Sequence, residues 1–270
     1  MTLRPLIHSL QQPAFLFLWF AALLAAAGCV DSPPADPAQA SQRLIELLQD
    51  GDPNIRHTAA LSLGKIGWAE AERPLIEALA DRDVTVRSAA AWALGRLGEA
   101  ASGEASSAVA AAIDDPATPV KEVAASALGQ LKGTPGLVSQ LIDSLHGPDP
   151  ASRRAAATAL GWLEAGAAIP ALTGALQDED PHVRHHALAA LGETGARQSV
   201  SKILERLARD EDAGVRGEAA YRLGKLGSRE VLPLLKEAAA KEPHETVRRW
   251  AQGAVRELEG VTDVRSAGSG

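Results

Sequence analysis

The sequence predicts an all-α fold, an α-solenoid of about seven helix-pair repeats. A Leu-Gly pair recurs six times, and a basic residue stands eight positions before each glycine. With a seventh Arg, the intervals between basic residues are 31, 34, 32, 31, 32 and 32. A recurrence of this length is typical of stacked supersecondary units. The glycines are Gly64, Gly95, Gly129, Gly161, Gly192 and Gly224, and the basic residues are Arg56, Arg87, Lys121, Arg153, Arg184, Arg216 and Arg248.

Composition agrees with this fold and excludes some functions. The 270-residue chain is 46% hydrophobic and 23% charged, which is typical of a folded globular protein. Aromatic residues make up only 3%, so small side chains must form most of the helix packing. The net charge of −7 argues against binding to nucleic acid, which needs clustered cations. A single cysteine excludes an intrachain disulfide.

Residues 1–28 are interpreted as a lipoprotein signal peptide. Residues 15–27 are all apolar, but they are fewer than the roughly 20 residues of a spanning helix. The next residues, Gly28 and Cys29, complete a segment that resembles the lipobox of bacterial lipoproteins, with Ala26 where Leu is usual. The resemblance implies lipidation at Cys29 and anchoring in the cell envelope, at the outer membrane or periplasmic face. An ordinary cleavage site after Ala27 and an uncleaved anchor are the alternatives.

Residues 29–40 are proline-rich and predict a tether, residues 41–260 predict the solenoid, and residues 261–270 predict a disordered tail. Each repeat has an apolar first helix, a turn containing Asp, and a second helix that starts near the basic residue. The runs Asp180 to Arg184 and Ala187 to Gly192 make the pattern resemble HEAT repeats, particularly the short bacterial kind also found in phycobilin lyases. The resemblance implies a right-handed superhelix whose second helices line a concave surface. It does not fix a function.

The second helices have two distinct faces in this pattern. The third position after the basic residue is Ala in all seven repeats, which predicts a buried seam where helices approach closely. The first, second, fifth and ninth positions lie on the opposite side and predict the groove. From them we select the predicted partner-binding residues, which are Trp92, Arg96, Arg154, Thr158, Trp162, His185, Glu193, Tyr221, Lys225, Arg249 and Trp250.

Four of the five aromatic residues after the signal peptide lie in this predicted groove, and only Trp68 does not. Aromatic residues beside arginines are typical of binding hot spots. The alternative is that each ring covers small side chains of the next repeat and only seals the stack.

The repeated Arg and Asp residues are interpreted as structural. We expect an Asp in each turn to cap the next helix, and each Arg to reach the carboxylates and carbonyls of adjacent turns. Lys121 interrupts this series and cannot replace the guanidinium fork. We therefore expect the third repeat to be the loosest.

No catalytic or metal-binding arrangement is recognisable, so we expect no cofactor and no enzymatic activity. His185 and His186 point about 100° apart on a helix, and no third ligand converges with them. The pair His244-Glu245 resembles the di-iron ligands of deoxyhypusine hydroxylase, but that chemistry needs several such pairs.

The predicted function is a lipid-anchored scaffold or adaptor whose concave groove binds a protein partner. One alternative is an enzyme or enzyme subunit of the HEAT-like bilin lyase or metal-dependent hydroxylase type. Another is an envelope spacer without a discrete partner.

Overall fold

The computed structural model describes residues 37–131, 136–227 and 229–266, and this part of the chain contains fourteen α-helices and no strand. The prediction of an all-α solenoid is therefore confirmed. Helices with odd numbers are the first helices of seven pairs: α1 Pro37–Leu47, α3 Glu72–Ala78, α5 Gly103–Ala111, α7 Leu137–Leu145, α9 Ile169–Ala175, α11 Val200–Arg209 and α13 Leu232–Lys241. Helices with even numbers are the second helices: α2 Pro53–Ile66, α4 Val84–Leu97, α6 Thr118–Leu128, α8 Pro150–Trp162, α10 Pro181–Glu193, α12 Ala213–Leu226 and α14 Glu245–Ser266.

Both ends of the helical region differ from the boundaries read from the sequence. Helix α1 begins at Pro37, inside the predicted tether, and it buries Ala40 and Leu44. Helix α14 continues to Ser266, beyond residue 261, where the tail was predicted to begin. The signal peptide and Cys29 lie outside the described residues. Among the residues described, no helix combines the length and hydropathy needed to cross a bilayer.

Aspartates start most of the second helices, as the sequence predicts. In five of the turns an Asp side chain accepts a hydrogen bond from a backbone N–H in the first turn of the helix. Helix α6 has Ala117 at this position and has no side-chain cap. The capping residues are Asp52, Asp83, Asp149, Asp180 and Asp212.

The Leu-Gly glycines are the places where neighbouring second helices touch. A Cβ added at Gly64 would lie 2.6 Å from the Cα of Ala93, and one added at Gly95 would lie 2.8 Å from the Cα of Ala127. A Cβ added at Gly161 or Gly224 would likewise lie close to the Cα of an alanine in the next repeat. The sequence pattern predicted this close approach at the alanine in the third position after the basic residue. That alanine is buried in every repeat, but the backbone contact is made by glycine.

These glycine contacts also bear on the expected curvature of the stack. Adjacent second helices pack directly on each other, whereas adjacent first helices make few contacts. A two-layer stack curves toward its more closely spaced layer, so we expect the second helices to line the concave side.

An arginine ladder joins successive turns, as predicted. In five repeats the Nε and Nη2 atoms of the Arg donate to both carboxylate oxygens of an acid in the next turn, at 2.7–3.0 Å. The Nη1 atom donates to backbone carbonyls of its own turn. The hydrogen bond from Arg56 lowers the pKa of Asp81. The pairs are Arg56–Asp81, Arg87–Asp115, Arg153–Asp178, Arg184–Asp210 and Arg216–Glu242.

The third repeat departs from the ladder. Gly147 occupies the position of the ladder acid, so the Nζ of Lys121 bonds instead to the cap Asp149 at 2.9 Å and to Ser152 at 2.7 Å. The hydrogen bond from Lys121 lowers the pKa of Asp149 strongly. Gly129 faces Trp162 rather than an alanine. These features are in keeping with a looser third repeat, which stays a prediction.

Candidate functional site on the concave face

We use the name concave face for a set of side chains on the second helices. They stand at the first, second, fifth and ninth positions after the basic residue of each repeat, and Arg222 is added to them. Most of these side chains reach solvent, but Ala89, Ala155 and Gly217 are buried. Ala89 and Ala155 stand at the second position, which on a helix lies close in angle to the sixth. Because residues at the sixth position contact the next helix, a small side chain at the second position is covered by that helix. Gly217 is covered by Trp250, whose Cδ1 lies 3.4 Å from the position of an added Cβ.

Two tryptophans on this face are largely exposed. Trp162 is 61% exposed and Trp250 is 48% exposed, and among the described residues the only other exposed large hydrophobic is Leu234 on the outer helix α13, at 49%. The Cβ and Cγ of Trp162 lie against Gly129, so the base of the side chain is held by the neighbouring helix. The indole ring itself is open to solvent.

The other two aromatic residues of the face are partly buried. Trp92 packs against the core, and its Cζ3 lies 2.9 Å from the position of a Cβ added at Gly64, so this ring seals the contact between α2 and α4. Tyr221 makes an edge-to-face contact with Trp250, with ring centroids 5.3 Å apart. The guanidinium of Arg222 lies 5.1 Å from the Tyr221 centroid. Of the four aromatic residues of the face, Trp92 and Tyr221 are therefore partly buried by their neighbours, whereas Trp162 and Trp250 are largely exposed.

The carboxylates of the concave face are all held by neighbouring cations. Arg222 holds two of them, Glu193 and Glu218, each at 2.7 Å. The other pairs are Arg154–Glu122 and Lys225–Glu257, each at 2.6 Å. Three of the residues predicted to bind the partner, Arg154, Glu193 and Lys225, are thus engaged in ion pairs between repeats.

Three cations of the face stand apart from these pairs. Lys65, Arg96 and Arg249 are exposed, and none of them forms an ion pair with any residue that the structure describes. Arg96 and Arg249 were among the predicted partner-binding residues. Lys65 lies in the predicted groove but was not one of them.

Arg222 lies on the concave face, although the sequence pattern did not predict it there. It occupies the sixth position, where five other second helices have alanine, and it packs over Gly192. The signal was the replacement of a small seam residue by a long cation, which predicts a side chain that must turn outward.

The histidines of the face make structural contacts. The Nδ1 of His186 lies 2.9 Å from the Oγ1 of Thr158, whose hydroxyl donates to the carbonyl of Arg154 at 3.0 Å. The ring of His185 meets that of His186 edge to face at 5.6 Å. Burial, with smaller contributions from nearby positive charges, lowers the pKa of His186 to about 4, so this residue is neutral at pH 7. No cluster of three or more potential metal ligands occurs in the part of the chain that the structure describes.

Sequence comparison identifies the repeats. A family model of HEAT repeats matches residues 41–129, 105–179, 138–206 and 174–256. Comparison with curated proteins gives no match.

Several solved structures are similar to this chain. Kap95p, in a structure on its binding to RanGDP, is 19% identical with a TM-score of 0.61, over 87% of this chain and 35% of that chain. The complex of CpcE and CpcF of phycocyanin lyase from Nostoc sp. PCC7120 is 25% identical with a TM-score of 0.49, over 85% and 99% of the two chains. Human deoxyhypusine hydroxylase in complex with glycerol is 24% identical with a TM-score of 0.41, over 93% and 92%.

Proposed function

The chain belongs to the HEAT-repeat family, and on that premise we propose that it is a non-enzymatic scaffold that holds a protein partner against its concave face. Solenoids of stacked repeats present extended concave surfaces suited to binding other macromolecules. Kap95p, which shares the fold, binds RanGDP. The observation that carries the proposal is the exposure of Trp162 and Trp250 on this face.

The two tryptophans suit a protein interface for energetic reasons. A large aromatic side chain left in water forgoes the hydrophobic stabilisation that burial would give it. Tryptophan and arginine are also enriched among the residues that contribute most to binding between proteins. Trp162 lies on α8 and Trp250 on α14, so a partner that covers both rings would span the last four repeats.

Photocrosslinking tests the proposal. A photoreactive amino acid at Ser126, which is exposed on the concave face, is expected to capture one dominant protein. The same amino acid at Leu234, on the outer layer, is expected not to capture that protein. Replacing both tryptophans by alanine should weaken the capture at Ser126 at least about tenfold, because each ring is expected to contribute about 1–2 kcal/mol.

The matched control for the tryptophan variant is Leu234→Ala, which removes an equally exposed apolar side chain from the opposite layer. It should leave capture at Ser126 unchanged. Circular dichroism should show the same helix content for both variants. Equal capture from Ser126 and Leu234, or full capture by the folded tryptophan variant, would contradict the proposal.

We propose further that acylation of Cys29 tethers the scaffold to a membrane of the cell envelope. The support is the lipobox-like segment that ends at Cys29. The first helix begins at Pro37, so only a short proline-rich stretch would separate the lipid from the folded region. Two or more acyl chains on one residue are enough for stable anchoring.

Metabolic labelling with a clickable palmitate analogue tests the anchor. The wild-type protein is expected to incorporate the label and to sediment with membranes, whereas Cys29→Ser should do neither. A Cys29→Ser protein that still sediments with membranes would indicate an uncleaved anchor. An unlabelled, soluble wild-type protein would indicate ordinary signal cleavage.

A further inference from the structure

We propose that the partner presents an acidic segment to the concave face, and that Lys65 and Arg96 bind its carboxylates. This inference rests on the proposed function and specifies the chemistry of the partner. It follows from the charges of the face, from the placement of these two cations, and from the apolar surface beside them.

The concave face is cationic although the whole chain has a net charge of −7. It carries six cations and four carboxylates, and all four carboxylates are already bound by Arg154, Arg222 or Lys225. The cations that remain, without an ion pair to any residue described by the structure, are Lys65, Arg96 and Arg249. A ligand that approaches this face therefore meets uncompensated positive charge, which favours an anionic partner.

Lys65 and Arg96 lie at equivalent positions of adjacent helices, so we infer that one anion can bridge them. Both occupy the ninth position after the basic residue of their repeats, on helices α2 and α4, which are adjacent in the stack. At the same position in the last two repeats, Lys225 and Glu257 are close enough to pair at 2.6 Å. We infer the same reach for Lys65 and Arg96, which as like charges would repel each other, so a carboxylate between them is favourable.

The apolar surface indicates a peptide segment rather than a free anion. Trp92 lies on α4 one turn before Arg96 and is partly exposed. Further along the face Trp162 offers an exposed ring, and Trp250 another near Arg249. The segment that fits combines carboxylates at its end over α2 and α4 with apolar side chains over α8 and α14. A planar lipid surface would not follow a concave layer of helices.

Fluorescence anisotropy with defined probes tests this inference. The probe is a labelled peptide of repeating Glu-Leu-Ser, and its counterparts carry Gln or Lys in place of every Glu. The Glu peptide is expected to bind the intact protein, to bind more weakly as salt is added, and to bind more tightly than the other two peptides. The double variant Lys65→Gln/Arg96→Gln should weaken its binding about fivefold or more.

The matched control is Arg43→Gln/Arg73→Gln, which changes the net charge by the same amount on the first helices α1 and α3. Both of these arginines are exposed. The control should weaken binding less than twofold. If the two double variants weaken binding equally, or if the Gln peptide binds as well as the Glu peptide, the inference is wrong.

Two further outcomes separate this inference from the proposed function. A protein captured at Ser126 whose binding is insensitive to Lys65→Gln/Arg96→Gln would overturn the acidic segment and leave the scaffold proposal intact. Binding to phosphatidylglycerol vesicles that is tighter than peptide binding, and that the same double variant abolishes, would overturn the inference in favour of lipid.

Discussion

Arg184→Ala is expected to lower the free energy of unfolding by about 3 kcal/mol, the largest effect of any single ladder substitution. The side chains of Arg184 and Asp210 are 6% and 1% exposed, and two hydrogen bonds of 2.8–2.9 Å join them. Removal of the guanidinium leaves the Asp210 carboxylate buried, with Arg206 at 3.4 Å as its remaining cation. It also takes away the donor to the carbonyls of Asp178 and Glu179.

Thermal unfolding followed by circular dichroism would measure this effect as a fall of roughly 6–12 °C in Tm. Lys241→Ala is the control, since it breaks the exposed pair with Glu237, and an exposed pair contributes at most about 1 kcal/mol. An Arg184→Ala protein as stable as the Lys241→Ala protein would show that the ladder does not hold the turns together.

Gly95→Ala is expected to destabilise the protein by about 1–2 kcal/mol, although alanine is the better helix former. A Cβ at this position would lie 2.7 Å from the Cβ and 2.8 Å from the Cα of Ala127. Because the second contact is with backbone, helices α4 and α6 must move apart, and the cost should lie at the upper end of the range for overpacking, about 2–3 kcal/mol. The gain in helix propensity, about 1 kcal/mol, offsets only part of that cost.

The control for Gly95 is Gly174→Ala in helix α9, where an added Cβ meets no atom within 4 Å. This substitution should raise the unfolding free energy by about 0.5–1 kcal/mol, because only the propensity gain remains. Chemical denaturation of both variants would measure the two changes. The same sign for both changes would contradict the account of the Leu-Gly pairs as helix contacts.

Which aromatic residues are partly buried and which are exposed could not be predicted from helix angles alone. Trp92 and Trp162 were predicted on the same face, yet one seals a helix contact and the other is exposed. The two rings lie at different positions, the fifth and the ninth after the basic residue, and they meet different neighbours. Gly64 faces Ala93 and the ring of Trp92, whereas Gly129 faces the base of Trp162. The 34-residue interval between Arg87 and Lys121 marks the irregular repeat, but its effect on the next helix needed coordinates.

The charges of the face show a similar division. A sequence pattern identifies which cations lie on the second helices. It cannot tell that Arg154 and Lys225 are paired, while Lys65 and Arg96 form no ion pair within the described part of the chain. Pairing depends on which side chains of adjacent repeats meet, and residues that meet here are about thirty positions apart in the chain. Arg222 was missed because its position reads as part of the buried seam.

Local and periodic properties were available from the chain alone. The recurrence near 32 residues, the aspartate caps and the Arg–Asp ladder are set by interactions within one repeat or between equivalent positions of neighbours, so a repeating pattern encodes them. Other properties depend on small differences in how successive repeats pack. They are the exposure of Trp162, the cover of the Trp92 ring over Gly64, and the absence of an ion pair at Lys65 and Arg96 among the described residues. Those differences break the periodicity, and only the packed helices reveal them, because a side chain's exposure is set by neighbours from another repeat.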